Sequence, residues 1–194
     1  MKISYAITAC NEYAELEQLL YFLIDEVREE DEIVVVIDKD NVHSKVIELL
    51  YQTKTYEGEP NFYWYEHSLN KDFSKQKNFL NSKCNGDFIF QIDADEMPHK
   101  FLINSLPVIL KGNPECEAYW VPRINTVKGL TENHIKKWGW KVDKNNWVNF
   151  PDYQMRIYKN NVDIKWEKPV HEQLVGYKQF ITLPTEEEWC LYHH

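Results

Sequence analysis

Residues 33–37 read IVVVI, five apolar residues in a row, all of them β-branched. Branching at Cβ favours extended backbone. Side chains of a strand alternate between its two faces, so an unbroken apolar strand needs cover on both. A parallel sheet enclosed by helices provides that cover, and a half-solvated antiparallel sheet does not. The neighbouring residues obey the same rule. Ile3 to Thr8 is a second β-rich run. Between the two runs, Leu16, Leu19, Leu20, Leu23, Ile24 and Val27 recur at helical spacing, with Asn11 as the expected cap and Glu12 and Glu15 in the first turn. A helix over 41–51, a strand over 62–65, a helix over 74–84 closed by Asn85-Gly86, and a strand over 88–92 follow. Pro98 suits the first turn of another helix, which Pro107 kinks or ends. Strand and helix thus alternate four times, which predicts an α/β fold with a mostly parallel central sheet and flanking helices.

The second half changes character. Tyr119 to Ile124 and Gln154 to Tyr158 read as strands, and Asp163 to Trp166 is expected to pair with the latter across Asn160-Asn161 in a small antiparallel part. Residues 126–150 lack a clear period and hold Trp138, Trp140 and Trp147. A loop of that length is usually functional, so it is expected to be a flap over a second substrate. A chain of 194 residues fits a single domain, 1–194.

The net charge of −9 argues against a nucleic-acid backbone as partner. The acids between Glu26 and Glu32 read as a solvated face. Cys10, Cys84, Cys116 and Cys190 are widely spaced and form no CxxC pair, so neither zinc nor a disulfide framework is expected, and a reducing, cytoplasmic setting is. No apolar run nears the ~20 residues that span a bilayer. The opening MKISYAITAC has no signal-peptide stretch.

The chemistry gathers at FIFQIDADEMP, Phe88 to Pro98, where a buried strand ends in Asp93, Asp95 and Glu96. Ligands of parallel α/β sheets bind beyond the carboxyl ends of the strands. On extended backbone Asp93 and Asp95 point the same way, with Ala94 small between them. Two adjacent carboxylates repel unless a cation joins them. Mg²⁺ or Mn²⁺ takes oxygen ligands and bridges carboxylates to substrate phosphates. The plainer reading is a turn of solvated acids with a helix cap.

The ordered set ITACNEYAELEQLL, VVVIDKD, DFSKQKNFLNSKCNGDFIFQIDADEMP, PDYQMRIYKN and KPVHEQL resembles the family-2 glycosyltransferases of the GT-A fold, over nearly the whole chain. The resemblance implies a nucleotide-sugar-binding half, 1–98, and an acceptor-side half, 99–194. It implies Thr8, Ala9 and Glu12 beside the nucleotide, Asp38 on the base, and Lys77 with Asn78 near the base or a phosphate. The family usually has Arg at the Lys77 position, and Lys lacks the planar fork. Asp93 would contact ribose or metal, Asp95 would ligate Mn²⁺ or Mg²⁺, and His171 would ligate or face the ion. Arg156, alternating with Gln154, would face the diphosphate or pair internally.

The implied reaction moves a hexose from a UDP-sugar to an acceptor hydroxyl with inversion. Asp152 is the expected general base and Glu172 its competitor. The three Trp would stack on acceptor sugars or pack in the core. Plainer roles stay open: Asp38 and Asp152 in turns, Lys77 on a solvated face, His171 as a core histidine. His193 and His194, at the abrupt end, would begin a segment closing over the diphosphate, or the chain ends there naturally. A nucleotidyltransferase would carry a Gly-rich basic loop where Ala9-Cys10-Asn11-Glu12 stands. A non-catalytic nucleotide- or glycan-binding module is the other alternative.

Overall fold

The structure is a computed structural model that describes residues 1–53 and 61–193. His194 lies outside the described residues. The first half alternates β1 (Ile3–Ala9), α1 (Tyr13–Glu26), β2 (Glu32–Asp38), α2 (Ser44–Thr53), β3 (Asn61–His67), α3 (Phe73–Asn81) and β4 (Phe88–Asp93). The second half holds β5 (Glu96–Pro98), α4 (Lys100–Gly112), β6 (Ala118–Asn125), α5 (Glu132–Trp138), β7 (Val148–Lys159), β8 (Lys165–Glu167), β9 (Gln173–Val175) and β10 (Phe180–Thr182). A 3-10 turn at Glu187–Trp189 and β11 (Leu191–His193) complete the described chain. The main sheet runs β3-β2-β1-β4-β7-β6-β11-β5, with β10 added beside β6. Its β3-β2-β1-β4 part is wholly parallel, and β7 enters antiparallel between β4 and β6.

Period-two burial explains how the sheet is covered. Ile33, Val35 and Ile37 face one core with Ile3, Tyr5, Ile7, Phe88 and Phe90, under α1, α2 and α4. Val34 and Val36 face the other with Ala6 and Ile89, under α3 and the β8–β9 pair. All seven residues of β2 are buried, as the IVVVI run requires.

Several local expectations are corrected. Helix α1 starts after Glu12, not on an Asn11 cap, because the Glu12 carboxylate accepts from the backbone N–H groups of Cys10 and Asn11 and so folds the turn. Helix α3 is capped by Asp72, which accepts from Lys75 N at 3.0 Å, and ends before Asn85-Gly86. Gly86 is needed for another reason: a Cβ there would lie 2.6 Å from Ser4 N. Pro98 ends β5 instead of opening α4, and α4 continues through Pro107. Residues 126–150 contain α5 and the start of β7. Strand β8 pairs with β9 and not with β7.

Asp31 and Glu32 are fully buried, contrary to a solvated run. Asp31 is held by Arg28 at 2.7 Å and by Ile3 N at 2.8 Å. Glu32 accepts from Lys2 Nζ and Ser4 Oγ, both at 2.6 Å, and from Asn85 N. Burial alone would raise the Glu32 pKa, but these donors outweigh it and hold the group below its usual value. A depressed carboxylate contributes stability that is complete above its unfolded pKa of about 4.3 and is lost as pH falls through the folded value. Glu32→Gln should therefore cost about 2–3 kcal/mol at neutral pH, since it leaves Lys2 and the turn short of a charged acceptor. Urea titrations from pH 7 to pH 3 should give the variant a shallower acid loss than the wild type, and parallel curves would contradict this.

Candidate active site

The carboxyl ends of β1, β2 and β4 border a cavity of about 450 Å³. Thr8, Ala9 and Glu12 line it from the β1–α1 turn, Asp38 from the end of β2, and Lys77 from α3. Asp38 is only 4% exposed. It accepts from Asn41 Nδ2 at 2.7 Å and Leu69 N at 3.1 Å, so it also ties the end of β2 to the β3–α3 connection. Burial alone would raise its pKa, and these hydrogen bonds hold it low, so it stays an ionised acceptor. His67 at the end of β3 meets Gln76 across 2.6 Å and orients α3, which turns Lys77 inward.

Asp93, Asp95, His171 and Glu172 complete the wall. Asp93 and Asp95 share the cavity, but not through extended backbone: β4 stops at Asp93, and Ala94-Asp95 forms a turn into β5. Asp93 already has cations. Arg156 pairs with Oδ2, Lys77 Nζ lies 4.0 Å away, and Gln91 donates at 2.8 Å. Burial would raise the Asp93 pKa, and Arg156 and Lys77 drive it far below the carboxylate range. Asp95 instead meets His193 Nε2 at 3.3 Å. That contact lowers the Asp95 pKa and raises that of His193. His193 belongs to β11, bonded between β5 and β6, and its other ring nitrogen is 2.9 Å from Asn125 Oδ1. His171 has a left-handed backbone, φ 56°, which turns it toward the cavity from an exposed loop.

Three expected residues are placed elsewhere. Asn78 does not line this cavity; its amide bonds the backbone N–H and C=O of Trp166 at 2.9 and 2.8 Å and anchors β8 on α3. Arg156 is 4% exposed and bonds Gln91, Asp93 and Glu96 inside the sheet; it does not line this cavity, but it borders the adjoining one of about 420 Å³. Among the described residues, its Nε is a buried side-chain donor without a partner. Asp152 accepts from Arg123 at 2.7 and 3.0 Å, from Asn125 at 2.9 Å and from Gln154 at 2.8 Å. Burial would raise its pKa, and Asn125 and Arg123 hold it down.

Glu172 is placed differently. It sits between the first cavity and a second of about 420 Å³ lined by Trp120, Trp166 and Tyr177. One of its oxygens is 2.5 Å from Lys77 Nζ, which rests 4.6 Å over the Trp166 ring. A third cavity, about 640 Å³, opens on the other side of Asp95 toward Lys128 and Trp140. Arg123 borders all three, and sequence reasoning passed over it. Its signal was a lone cation in the apolar run YWVPRIN, whose buried partner Glu96 was read only as one of the acids at the strand end.

Among the described residues, no three His, Cys, Asp or Glu side chains converge tightly enough to hold a divalent ion unaided. A carboxylate has about four acceptor positions, and His193 takes one on Asp95. His171 lines the same cavity. Hard ions of this class use one or two protein carboxylates and complete their shell with substrate phosphate and water. The residues present fit that pattern. No described helix is long and apolar enough to cross a membrane.

Residues 4–168 match the family described as glycosyl transferase family 2. No curated protein sequence matches the chain significantly. Among solved structures, S. aureus TarS 1–349 aligns with a TM-score of 0.69 at 15% identity, covering 100% of this chain and 60% of that one. The same TarS fragment in complex with UDP-GlcNAc gives 0.69 and 15%, over 99% and 58%. The mannosyltransferase PcManGT from Pyrobaculum calidifontis, in complex with GDP-Man and Mn²⁺, gives 0.58 and 14%, over 98% and 56%. These likenesses show the shared fold, and the chain spans about three fifths of the length of those structures. On the match across most of its length, the chain belongs to glycosyl transferase family 2.

Proposed function

We propose that the chain transfers a hexose from a UDP-sugar to an acceptor hydroxyl, with a divalent ion and with inversion. The observation that carries this reading is one cavity at the strand ends in which Thr8, Asp38, Lys77, Asp95 and His171 meet. Neighbours of the same fold are described with UDP-GlcNAc, or with GDP-Man and Mn²⁺, which supports a nucleotide-sugar donor and an ion. Asp38, a buried acceptor, suits the N–H edge of a base. Asp95, with His171 facing it, would hold the ion beside the diphosphate. When bound, the ion stabilises negative charge developing on the leaving diphosphate.

The remaining chemistry belongs to the chain. Lys77 moves from Glu172 to the diphosphate, which frees the Glu172 carboxylate between the donor cavity and the aromatic one. Glu172 then takes the acceptor hydroxyl proton as the acceptor oxygen bonds to the anomeric carbon. The bond from that carbon to the diphosphate breaks, and the diphosphate leaves with the electron pair. Glu172 is favoured over Asp152 as base because Asp152 accepts four hydrogen bonds, two of them from a guanidinium. One observation favours the alternative of a non-catalytic nucleotide-binding module: Asp93 is already neutralised by Arg156 without any ligand.

Calorimetry with UDP, GDP and CDP tests the donor reading. UDP should bind best, and more tightly with Mn²⁺. Asp95→Ala should weaken the Mn²⁺-assisted binding at least about tenfold, the loss that even an outer-shell partner of a metal ligand causes. Binding of every nucleotide that ignores the ion would refute the metal role. Turnover separates the two carboxylates. Glu172→Gln should lower kcat by about 10²–10⁴-fold while UDP affinity is kept or rises, because Lys77 no longer has to leave a carboxylate, and Asp152→Asn should cost less. The opposite order would return the base to Asp152. UDP binding without turnover on any sugar panel would leave the binding-module reading.

A further inference from the structure

The cavity of about 640 Å³ beside Asp95 is lined by Lys128 and Trp140, and the segment that carries them is unlike the rest of the molecule. Residues 128–144 carry five lysines against Glu132 and Asp143, a local charge of +3 in a chain of −9. Lys128, Lys136, Lys137, Lys141 and Lys144 are all exposed. Among the described residues, the one acidic neighbour recorded for them is Glu132, 4.0 Å from Lys136 and itself exposed. Charges grouped this way repel one another, and a single exposed carboxylate at 4.0 Å offsets little of that repulsion, so folding alone does not account for their placement.

Rings are interleaved with these charges. Trp138 is 50% exposed, and its centroid lies 4.8 Å from that of Trp140 and 5.2 Å from that of His134. Lys137 Nζ sits 5.3 Å from the Trp138 ring. Gly139, left-handed at φ 62°, ends α5 and lets the chain turn so that Trp140 reaches the cavity while Trp138 stays outside it. Lys141 O then accepts from Asn149 N at 2.7 Å, which closes the segment into a hairpin against the same cavity. Lys128, Trp140 and Asn149 thus connect this segment to the cavity that Asp95 also lines, where the proposed transfer takes place.

We infer that residues 128–149 are the docking surface for an anionic acceptor, a glycan bearing phosphate or carboxylate groups. This rests on the transferase reading and names its acceptor class. The lysines recognise the charge, and Trp138 with Trp140 offers flat apolar faces to sugar rings. A membrane surface fits less well. Interfacial helices bury a broad apolar face, and among the described residues of this patch Trp138 is the one exposed large apolar side chain.

Binding to oligogalacturonate, to neutral dextran oligomers and to polyphosphate, without donor, tests the inference on the full chain. Oligogalacturonate should bind in a salt-sensitive way, and dextran should not. The triple variant K136Q/K137Q/K141Q should bind oligogalacturonate about tenfold more weakly, since exposed ion pairs are individually weak and add up. Trp138→Ala should weaken oligogalacturonate but not polyphosphate. Equal affinity of wild type and triple variant, or no oligogalacturonate binding at all, overturns the surface. Polyphosphate binding as tightly, with Trp138→Ala without effect on either, overturns the glycan. Binding confined to phosphatidylglycerol vesicles replaces it with a membrane. UDP–Mn²⁺ titrations of the same proteins keep the two readings apart: if UDP fails to bind while oligogalacturonate binds, the donor reading falls and the docking surface stands.

Discussion

A chain of alternating charges with a buried centre holds the two halves of the sheet together. It runs Asp93–Arg156–Glu96–Arg123–Asp152 and joins β4, β7, β5 and β6 at the strand ends. Glu96 is fully buried and receives Arg123 at 2.9 Å and Arg156 at 2.6 Å. Burying ions is costly, and such networks seldom add more stability than apolar residues of the same size. What they fix is position, because removing one member strands the others and costs about 3–5 kcal/mol. The register of β7 between β4 and β6 is therefore tied to the geometry of the site.

This constraint changes the meaning of the acids at the end of β4. Their clustering suggested that a metal must relieve their repulsion. Repulsion within Asp93 and Glu96 is already relieved by Arg156 and Arg123. Asp95 is instead paired with an imidazole at the cavity rim. The motif thus divides: its first and third acids are tied into the sheet by arginine, and its middle one pairs with His193 at the cavity rim.

How much of this was legible in the sequence follows from the range of the forces involved. The parallel half could be read because its signals are local: the IVVVI run, the leucines of α1, the Asn85-Gly86 stop before β4. Thr8, Ala9, Glu12, Asp38 and Lys77 come together because each ends or borders one of those elements. Long-range pairings left no local trace. Nothing near Asp163 announces that β8 will pair with β9, which follows a turn through Lys168 and His171, both with positive φ. Nothing near His193 announces that β11 will slot between β5 and β6. Arg156 was noticed, but whether it faced ligand or sheet depended on Glu96, 60 residues away. Asn78 failed for a similar reason, since its backbone partner lies 88 residues on.

Charge balance at the junction links the site to its ligand. Lys77, Arg123 and Arg156 stand against Asp93, Asp95, Glu96, Asp152 and Glu172, three cations to five carboxylates. Two negative charges remain, one of them offset when His193 is protonated. A diphosphate entering such a pocket is repelled unless it brings a counter-charge, and at short range in a partly desolvated site that repulsion is large. In the proposed reaction a divalent ion would supply the missing charge, and Lys77, 2.5 Å from Glu172 in this structure, would add to it only by leaving that carboxylate. Occupancy of the donor side and release of the proposed base would then be the same event. Glu172 would be unencumbered only while a diphosphate holds Lys77, so deprotonation of an acceptor would be confined to the interval in which a leaving group is present.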